Sequence, residues 1–257
     1  MPSSRGTGPQ TIHKAVQLLR AFSPSSPEIG VRDLADLVGI PRSTVHRLLT
    51  AMEDEGLVKQ NVETGRYRLG FELVALAGIA LRSMDIRRVA LPFMSHLAGR
   101  WHETVDLDVL RGGHVIIIEQ IAGQHLLNTG GMLAARLPAH CTSTGKVLLA
   151  HAGPEYVREH LPEELPRYSP LTITAIGVLL QDLDHVRAQG CARVRGEYEE
   201  YVTALGVPIR DHTASVIASM SISGLSVRID EETADQMIRA LKQAAAEIST
   251  ALGYVER

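Results

Sequence analysis

The 257-residue chain holds only two cysteines, Cys141 and Cys191. Two distant cysteines make neither a disulfide framework nor a zinc pattern, and they suit a reducing compartment. No apolar run approaches the roughly 18 residues that a membrane span needs. The N-terminal stretch MPSSRGTGPQ is too polar for a secretory signal, so a soluble, cytoplasmic protein with no membrane partner is expected. The 11 histidines are scattered, and no two have the spacing of a helical metal motif. Neither a metal nor another cofactor is expected. A large charge of either sign is missing too: the net charge is −3, which by itself does not mark a nucleic-acid binder. Its distribution is uneven, however. Residues 1–72 carry 9 Lys+Arg against 8 Asp+Glu, and residues 73–257 carry 17 against 21. Basic character in the first part is therefore local, and local charge is what meets phosphate. The length and a hydrophobic content of 45% allow one large or two ordinary domains with a sizeable core.

What the chain does have is concentrated in Val31 to Leu57, VRDLADLVGIPRSTVHRLLTAMEDEGL. Val31, Leu34, Ala35 and Val38 recur at helical spacing. Gly39 ends that helix in a left-handed conformation, and Pro41 suits the first turn of the next. Ser43 or Thr44 is expected to help satisfy the free N–H groups there. Val45, Leu48, Leu49 and Met52 form one stripe, which leaves Arg42, Ser43, Thr44, His46 and Arg47 on the outer face. Such a face suits DNA: arginine for guanine edges or phosphate, hydroxyls for either. An ordinary helical hairpin with a solvated polar face has the same pattern. Leu57-Val58 and Arg66 to Leu69 then read as two strands around the polar loop Asn61 to Gly65. Lys59, Arg66 and Arg68 fall where a wing meets the phosphate backbone. A helix-turn-helix with a basic hairpin is a winged helix, and this favours DNA over the bland alternative.

Before this unit, residues 1–9 are expected to be disordered and Thr11 to Phe22 helical. After it, Phe71 to Arg82 contains LVALAGIAL, nine uncharged residues in a row. A helix apolar all round is covered on more than one side, which predicts packing on a second subunit. Residues 10–70, 71–88 and 89–257 are thus expected as DNA-binding domain, linker and dimerisation helix, and second domain. In the last, Ile86 to His102 is helical, Val105 to Ile118 is a hairpin, Val147 to Ala150, Pro154 to Leu161 and Gln181 to Gln189 are helices, Leu205 to Arg210 and Val216 to Ser223 are strands, and Asp230 caps a final helix. The sum is an α+β protein whose second domain is a mixed α/β layer with a mainly antiparallel sheet.

Two stretches of the second domain carry chemistry. Cys141 to Gly145 leads small residues into a helix, whose free N–H groups bind anions; helix capping explains the same residues. In Val216 to Ser223, one face is apolar and the other carries Ser219, Ser221 and Ser223. That hydroxyl face either meets solvent or lines a cavity. No catalytic residues are identified: His140 and Cys141 are adjacent in sequence but not thereby a base and nucleophile, and Cys141 is expected to be buried and inert. The acidic run Glu197 to Glu200 reads as a solvated loop.

Taken in order, TIHKAVQLLRAF, LADLVGIPRSTVHRLLTAMEDEGLV, YRLG, LPAHCTSTGK, GVPIRD, SMSISG and AAAEISTALG resemble the IclR family of bacterial transcriptional regulators from about residue 10 onward. The resemblance implies a winged helix, a dimerising linker helix and a GAF-like effector-binding domain. It also implies dimers or tetramers on palindromic double-stranded DNA operators. The effector site it implies lies between Thr142, Ser143 and Thr144 and the strand bearing Ser221 and Ser223. Where relatives that bind very small acids carry Asp and Cys, this chain has Val194 and Ala204. With Leu137 these imply a less polar pocket and a larger, partly apolar effector, such as an aromatic acid. The competing readings are an oligomerising DNA-binding protein without an effector and an enzyme with a DNA-binding tether, and the missing catalytic set disfavours the latter.

Overall fold

The computed structural model describes residues 10–255 apart from Pro24, Ser83, Met84 and Leu126. The expected disorder of residues 1–9 lies outside this range. The chain forms two compact units that divide between residues 83 and 84.

In the first unit, α1 (Gln10–Arg20), α2 (Val31–Val38) and α3 (Arg42–Asp54) precede a hairpin of β1 (Val58–Gln60) and β2 (Tyr67–Leu69), and α4 (Glu72–Arg82) follows. Gly39 takes φ 66° and hands the chain from α2 to α3, its N–H returning to the carbonyl of Ala35. The start of α3 differs from expectation. Neither Ser43 nor Thr44 caps it by side chain; the carbonyl of Pro41 accepts from the N–H groups of Thr44 at 2.9 Å and Val45 at 3.0 Å. Pro41 therefore sits one position ahead of the helix. A 13-residue helix is marginal alone in water. Burial of Val45, Leu48, Leu49 and Met52, about 1.5–3 kcal/mol each, holds it against Leu18, Leu34 and Val58. Ile29 adds a third strand position, exchanging two 2.9 Å hydrogen bonds with Tyr67. Gly70 is needed for closure, since a Cβ there would meet the Gly56 carbonyl oxygen at 2.0 Å.

The second unit opens with α5 (Asp85–Trp101) and continues through β3 (Thr104–Arg111), β4 (His114–Ile121), β5 (Arg136–Pro138), a 3₁₀ turn (Ala139–Cys141), α6 (Ser143–Ala152), α7 (Pro154–His160), α8 (Ile176–Gln189), β6 (Ala192–Arg195), β7 (Val202–Arg210), β8 (Val216–Leu225) and α9 (Glu231–Ala251). The strands make one antiparallel sheet in the order β5-β4-β3-β8-β7-β6. Helices α5 and α9 pack on its apolar face and α6 on the other, with α8 behind α6. Asp230 caps α9 as expected, its Oδ1 accepting from the Thr233 N–H at 2.8 Å. Several elements depart from the sequence reading. β5 and β6 were not expected. α8 starts at Ile176 rather than Gln181 and α6 at Ser143 rather than Val147. Ile176-Gly177-Val178 is a poor helix-forming triplet, yet Ile176 and Leu179 are buried in the core of this layer, and packing overrides propensity.

Candidate functional site

The outer face of α3 is built by its inner one. With Val45, Leu48, Leu49 and Met52 buried, Arg42, Ser43, His46 and Arg47 are left exposed and Thr44 half-buried. The hairpin carries Lys59, Arg66 and Arg68. Its loop is set by Asn61, whose side chain accepts from the Glu63 N–H at 3.0 Å, and by Gly65 at φ 67°. Lys59 lies 3.5 Å from Glu53 and Arg66 lies 3.3 Å from Asp33. Solvated pairs of this kind contribute about 0–1 kcal/mol, little enough for a phosphate to displace.

In the second unit, the sheet face beneath α6 holds a cavity of about 220 Å³. Thr142, Ser143 and Thr144 enter it from the start of α6, Ser221 and Ser223 from β8, and Leu137, Val194 and Ala204 from β5, β6 and β7. The structure thus brings all eight sequence-derived positions to one cavity. Close approach of α6 to the sheet depends on Gly206, where a Cβ would meet the Ser143 backbone at 2.9 Å. Ser219 does not take part: it is fully buried and its hydroxyl donates to the Val207 carbonyl at 2.8 Å. The Ser223 hydroxyl is already bonded to Thr129 Oγ1 at 2.7 Å.

Sequence reasoning missed the acidic wall. Asp106 and Asp108 on β3 stand in register with Ser221 and Ser219 on β8 and line the cavity. Both are buried, at 9% and 2% exposure. Asp106 accepts from Gln120 Nε2 at 2.6 Å, and Gln120 in turn accepts from the Met132 N–H at 2.9 Å. Asp108 Oδ2 accepts from the Thr144 hydroxyl. Burial pushes Asp106 up to about 6 against the opposing Gln120 hydrogen bond. Burial, and then the charge of Asp106, raise Asp108 well above the usual carboxylate range. The alternation Val-Asp-Leu-Asp-Val was visible. Its meaning depends on β3 lying beside β8, which no local pattern reports.

Cys141 is fully buried, and burial pushes its thiol up to about 12. The neighbouring His140 ring instead bonds the Pro166 carbonyl at 3.0 Å, so the two do not act as base and nucleophile. Glu197 corrects the solvated-loop reading. It is largely buried and lies 2.5 Å from Lys146, which also meets Asp182 at 2.9 Å. Lys146 is thus spent inside the fold and is not presented to the cavity. Among the described residues no helix is long and apolar enough to cross a membrane.

Comparison with known proteins bears on both units. The IclR helix-turn-helix domain family matches residues 11–62, and the family described as bacterial transcriptional regulator IclR C-terminal matches residues 78–250. The HTH-type transcriptional regulator XynR of Escherichia coli is 33% identical over 246 residues, covering 95% of this chain and 98% of that protein. The HTH-type transcriptional regulator KdgR of Dickeya chrysanthemi is 35% identical over 245 residues, 95% and 80% of the two chains. The crystal structure of an IclR homolog from Microbacterium hydrocarbonoxydans, complexed with 4-hydroxybenzoate, is 32% identical and superposes with a TM-score of 0.78 over 94% of this chain and 98% of its own. Matched in its helix-turn-helix unit and in its sheet domain alike, this chain belongs to the IclR family of bacterial transcriptional regulators.

Proposed function

We propose that the protein controls its target genes in response to a small organic acid held in the cavity, working as a homodimer or a pair of dimers on a palindromic operator. The observation that carries this reading is the cavity's division of labour. Hydroxyls come from both α6 and β8, with the N–H groups that open α6, while Leu137, Val194 and Ala204 offer only apolar contact. Such a lining suits a carboxylate on a flat apolar body. Size agrees: a cavity of roughly 150 Å³ holds benzene, and about 220 Å³ leaves room for a polar substituent. The Microbacterium relative was solved with a molecule of this kind. The end of α6 contributes about 0.3–1 kcal/mol toward an anion, and each charge-assisted hydrogen bond about 1.5–3 kcal/mol.

On the DNA side, Arg42, Ser43, Thr44, His46 and Arg47 address base edges in the major groove, and Lys59, Arg66 and Arg68 hold the backbone. Self-association is supported by α4, where Val74, Leu76 and Ile79 stand 67%, 48% and 60% exposed in the single chain. An apolar stripe of this kind on one helix suits a second copy. The linker role belongs to residues 71–88, since α4 ends one unit and α5 begins the other. An effector that binds one spacing of the paired recognition helices better than another shifts the population between them. A thermal-shift screen of aromatic acids, with Ala204→Trp as the filled-cavity control, tests the reading. Stabilisation by acids that is lost in the filled variant is expected; no stabilisation by any acid overturns it.

A further inference from the structure

The cavity has an electrostatic peculiarity. Among the described residues its charged lining residues are Asp106, Asp108 and Glu199, with no lysine, arginine or histidine. An anion entering such a site needs neutral donors, because a second carboxylate beside an ionised one in a desolvated place is strongly unfavourable. We propose that Asp108 meets the effector as a hydrogen-bond donor: a neutral carboxylic acid whose Oδ1–H, beside the N–H groups that open α6, holds the effector's carboxylate. This rests on the reading of the cavity as an organic-acid site.

The geometry supports it independently of the ligand. Asp108 is 2% exposed, and its Oδ1 is buried with no hydrogen-bond partner among the described residues. Leaving a buried polar atom unmatched is costly, and a native structure that does so invites a missing partner. Its other oxygen, Oδ2, is already occupied by the Thr144 hydroxyl. Of the two oxygens Oδ1 is the one without a partner among the described residues, on a residue that lines the cavity, and it is the oxygen on which we place the proton. Two residues earlier on the same strand face, Asp106 receives the side-chain amide of Gln120 at 2.6 Å. Each carboxyl accepts one such bond, Asp106 from Gln120 and Asp108 from Thr144, but the charge of Asp106 further raises Asp108, so of the two Asp108 keeps the proton.

The surroundings do not reverse this. Cys141 from the turn before α6, and Tyr198 and Glu199 from the loop after β6, are the other titratable groups lining the cavity. None of them is a cation. Lys146 on α6 is held by Asp182 and Glu197. From β7 and β8 the cavity receives Val202, Ala204, Ser221 and Ser223, which do not titrate. Burial and the neighbouring Asp106 both push Asp108 in the same direction.

Two measurements on the full chain test the proposal. In the first, carboxyl carbons of 13C-labelled aspartate are followed by NMR without any ligand. One resonance, absent in Asp108→Asn, is expected to stay at the protonated position at neutral pH. Complete ionisation of that resonance below about pH 5, as for an ordinary carboxylate, overturns the neutral acid. In the second, benzoate, benzylamine and benzyl alcohol are titrated by calorimetry at two pH values on either side of the ionisation of the Asp108 resonance, both well above the value of about 6 at which Asp106 titrates. Wild-type affinity for benzoate is expected to fall by at least roughly ten-fold between them, following ionisation of the acid. Asp108→Asn, whose amide donates at every pH, is expected to bind benzoate equally at both. Preference for benzylamine or benzyl alcohol over benzoate makes Asp108 an acceptor and overturns the proposal. No benzoate binding at either pH, with the NMR resonance still protonated, overturns the anion contact and the organic-acid reading while leaving Asp108 a neutral acid.

Discussion

Lys146 Nζ lies 2.5 Å from Glu197 Oε1, and the lysine side chain is only 3% exposed. The pair ties the second half of the first turn of α6 to the loop carrying Tyr198 and Glu199, so one ionic contact fixes two walls of the cavity. Removing one partner of a buried ion pair costs about 3–5 kcal/mol, because the other charge is left uncompensated. Asp182, at 36% side-chain exposure, keeps access to water, so the lower end of that range is expected for Lys146→Met. Trp101 is the single tryptophan and ends α5 in the second unit, so its fluorescence during urea unfolding reads this unit. Adding Glu197→Gln should recover part of the loss. An unchanged midpoint in Lys146→Met would mean that the pair contributes nothing.

Arg47→Ala is expected to weaken binding to a specific operator by about 1–3 kcal/mol, the worth of a good bidentate base contact, and to relax base preference. Arg66→Ala on the hairpin is expected to weaken specific and non-specific DNA alike, and to reduce the salt dependence by roughly one phosphate contact. Gel shifts on operator and on unrelated duplex separate the two. Equal losses on both duplexes in Arg47→Ala would remove it from base readout.

The local parts of this architecture were legible. Gly39, the apolar stripe of α3 and the Asp230 cap act within a few residues of themselves, and periodicity and turn chemistry report such things directly. The alternation of β8 gave the cavity's serine wall, although the loss of Ser219 to a backbone hydrogen bond was invisible. What could not be read was long-range. Asp106 and Asp108 acquire their meaning from a strand more than a hundred residues away. Glu197 looked like part of a solvated loop because its partner Lys146 lies 51 residues away. β5 and β6, of three and four residues, are too short for alternation to distinguish them from loop. At α3 the backbone of Pro41 did what a side-chain cap was expected to do.

A charge on the exposed stripe of α4 should disrupt self-association. Leu76→Glu places a carboxylate where a second copy is expected, and an unpaired charge buried there costs several kcal/mol. Light scattering is expected to give a monomer or aggregate in place of the wild-type species. A soluble assembly of wild-type size would mean that α4 does not form the contact.

Asp106 gives the second unit a pH dependence of definite sign. Burial raises its folded-state value from 3.8 to about 6, so the folded unit retains a proton that the unfolded chain has lost. That stabilising share is complete below about pH 3.8 and is lost as pH rises through about 6. Asp106→Asn removes the ionisation and is expected to raise stability near pH 8, relative to wild type, by on the order of 2–3 kcal/mol. Near pH 4 the gain should largely vanish. Urea midpoints read by Trp101 at the two pH values check this, and an equal difference at both would contradict it.

Regulation through the cavity requires that occupancy and operator binding be linked, and linkage is reciprocal. Operator affinity measured by fluorescence anisotropy, with and without saturating 4-hydroxybenzoate, tests this most directly. A change of about 5–150-fold is expected, the range of ordinary allosteric coupling, with the change abolished in the filled-cavity Ala204→Trp protein. Identical operator affinity in the presence and absence of bound acid would contradict the account.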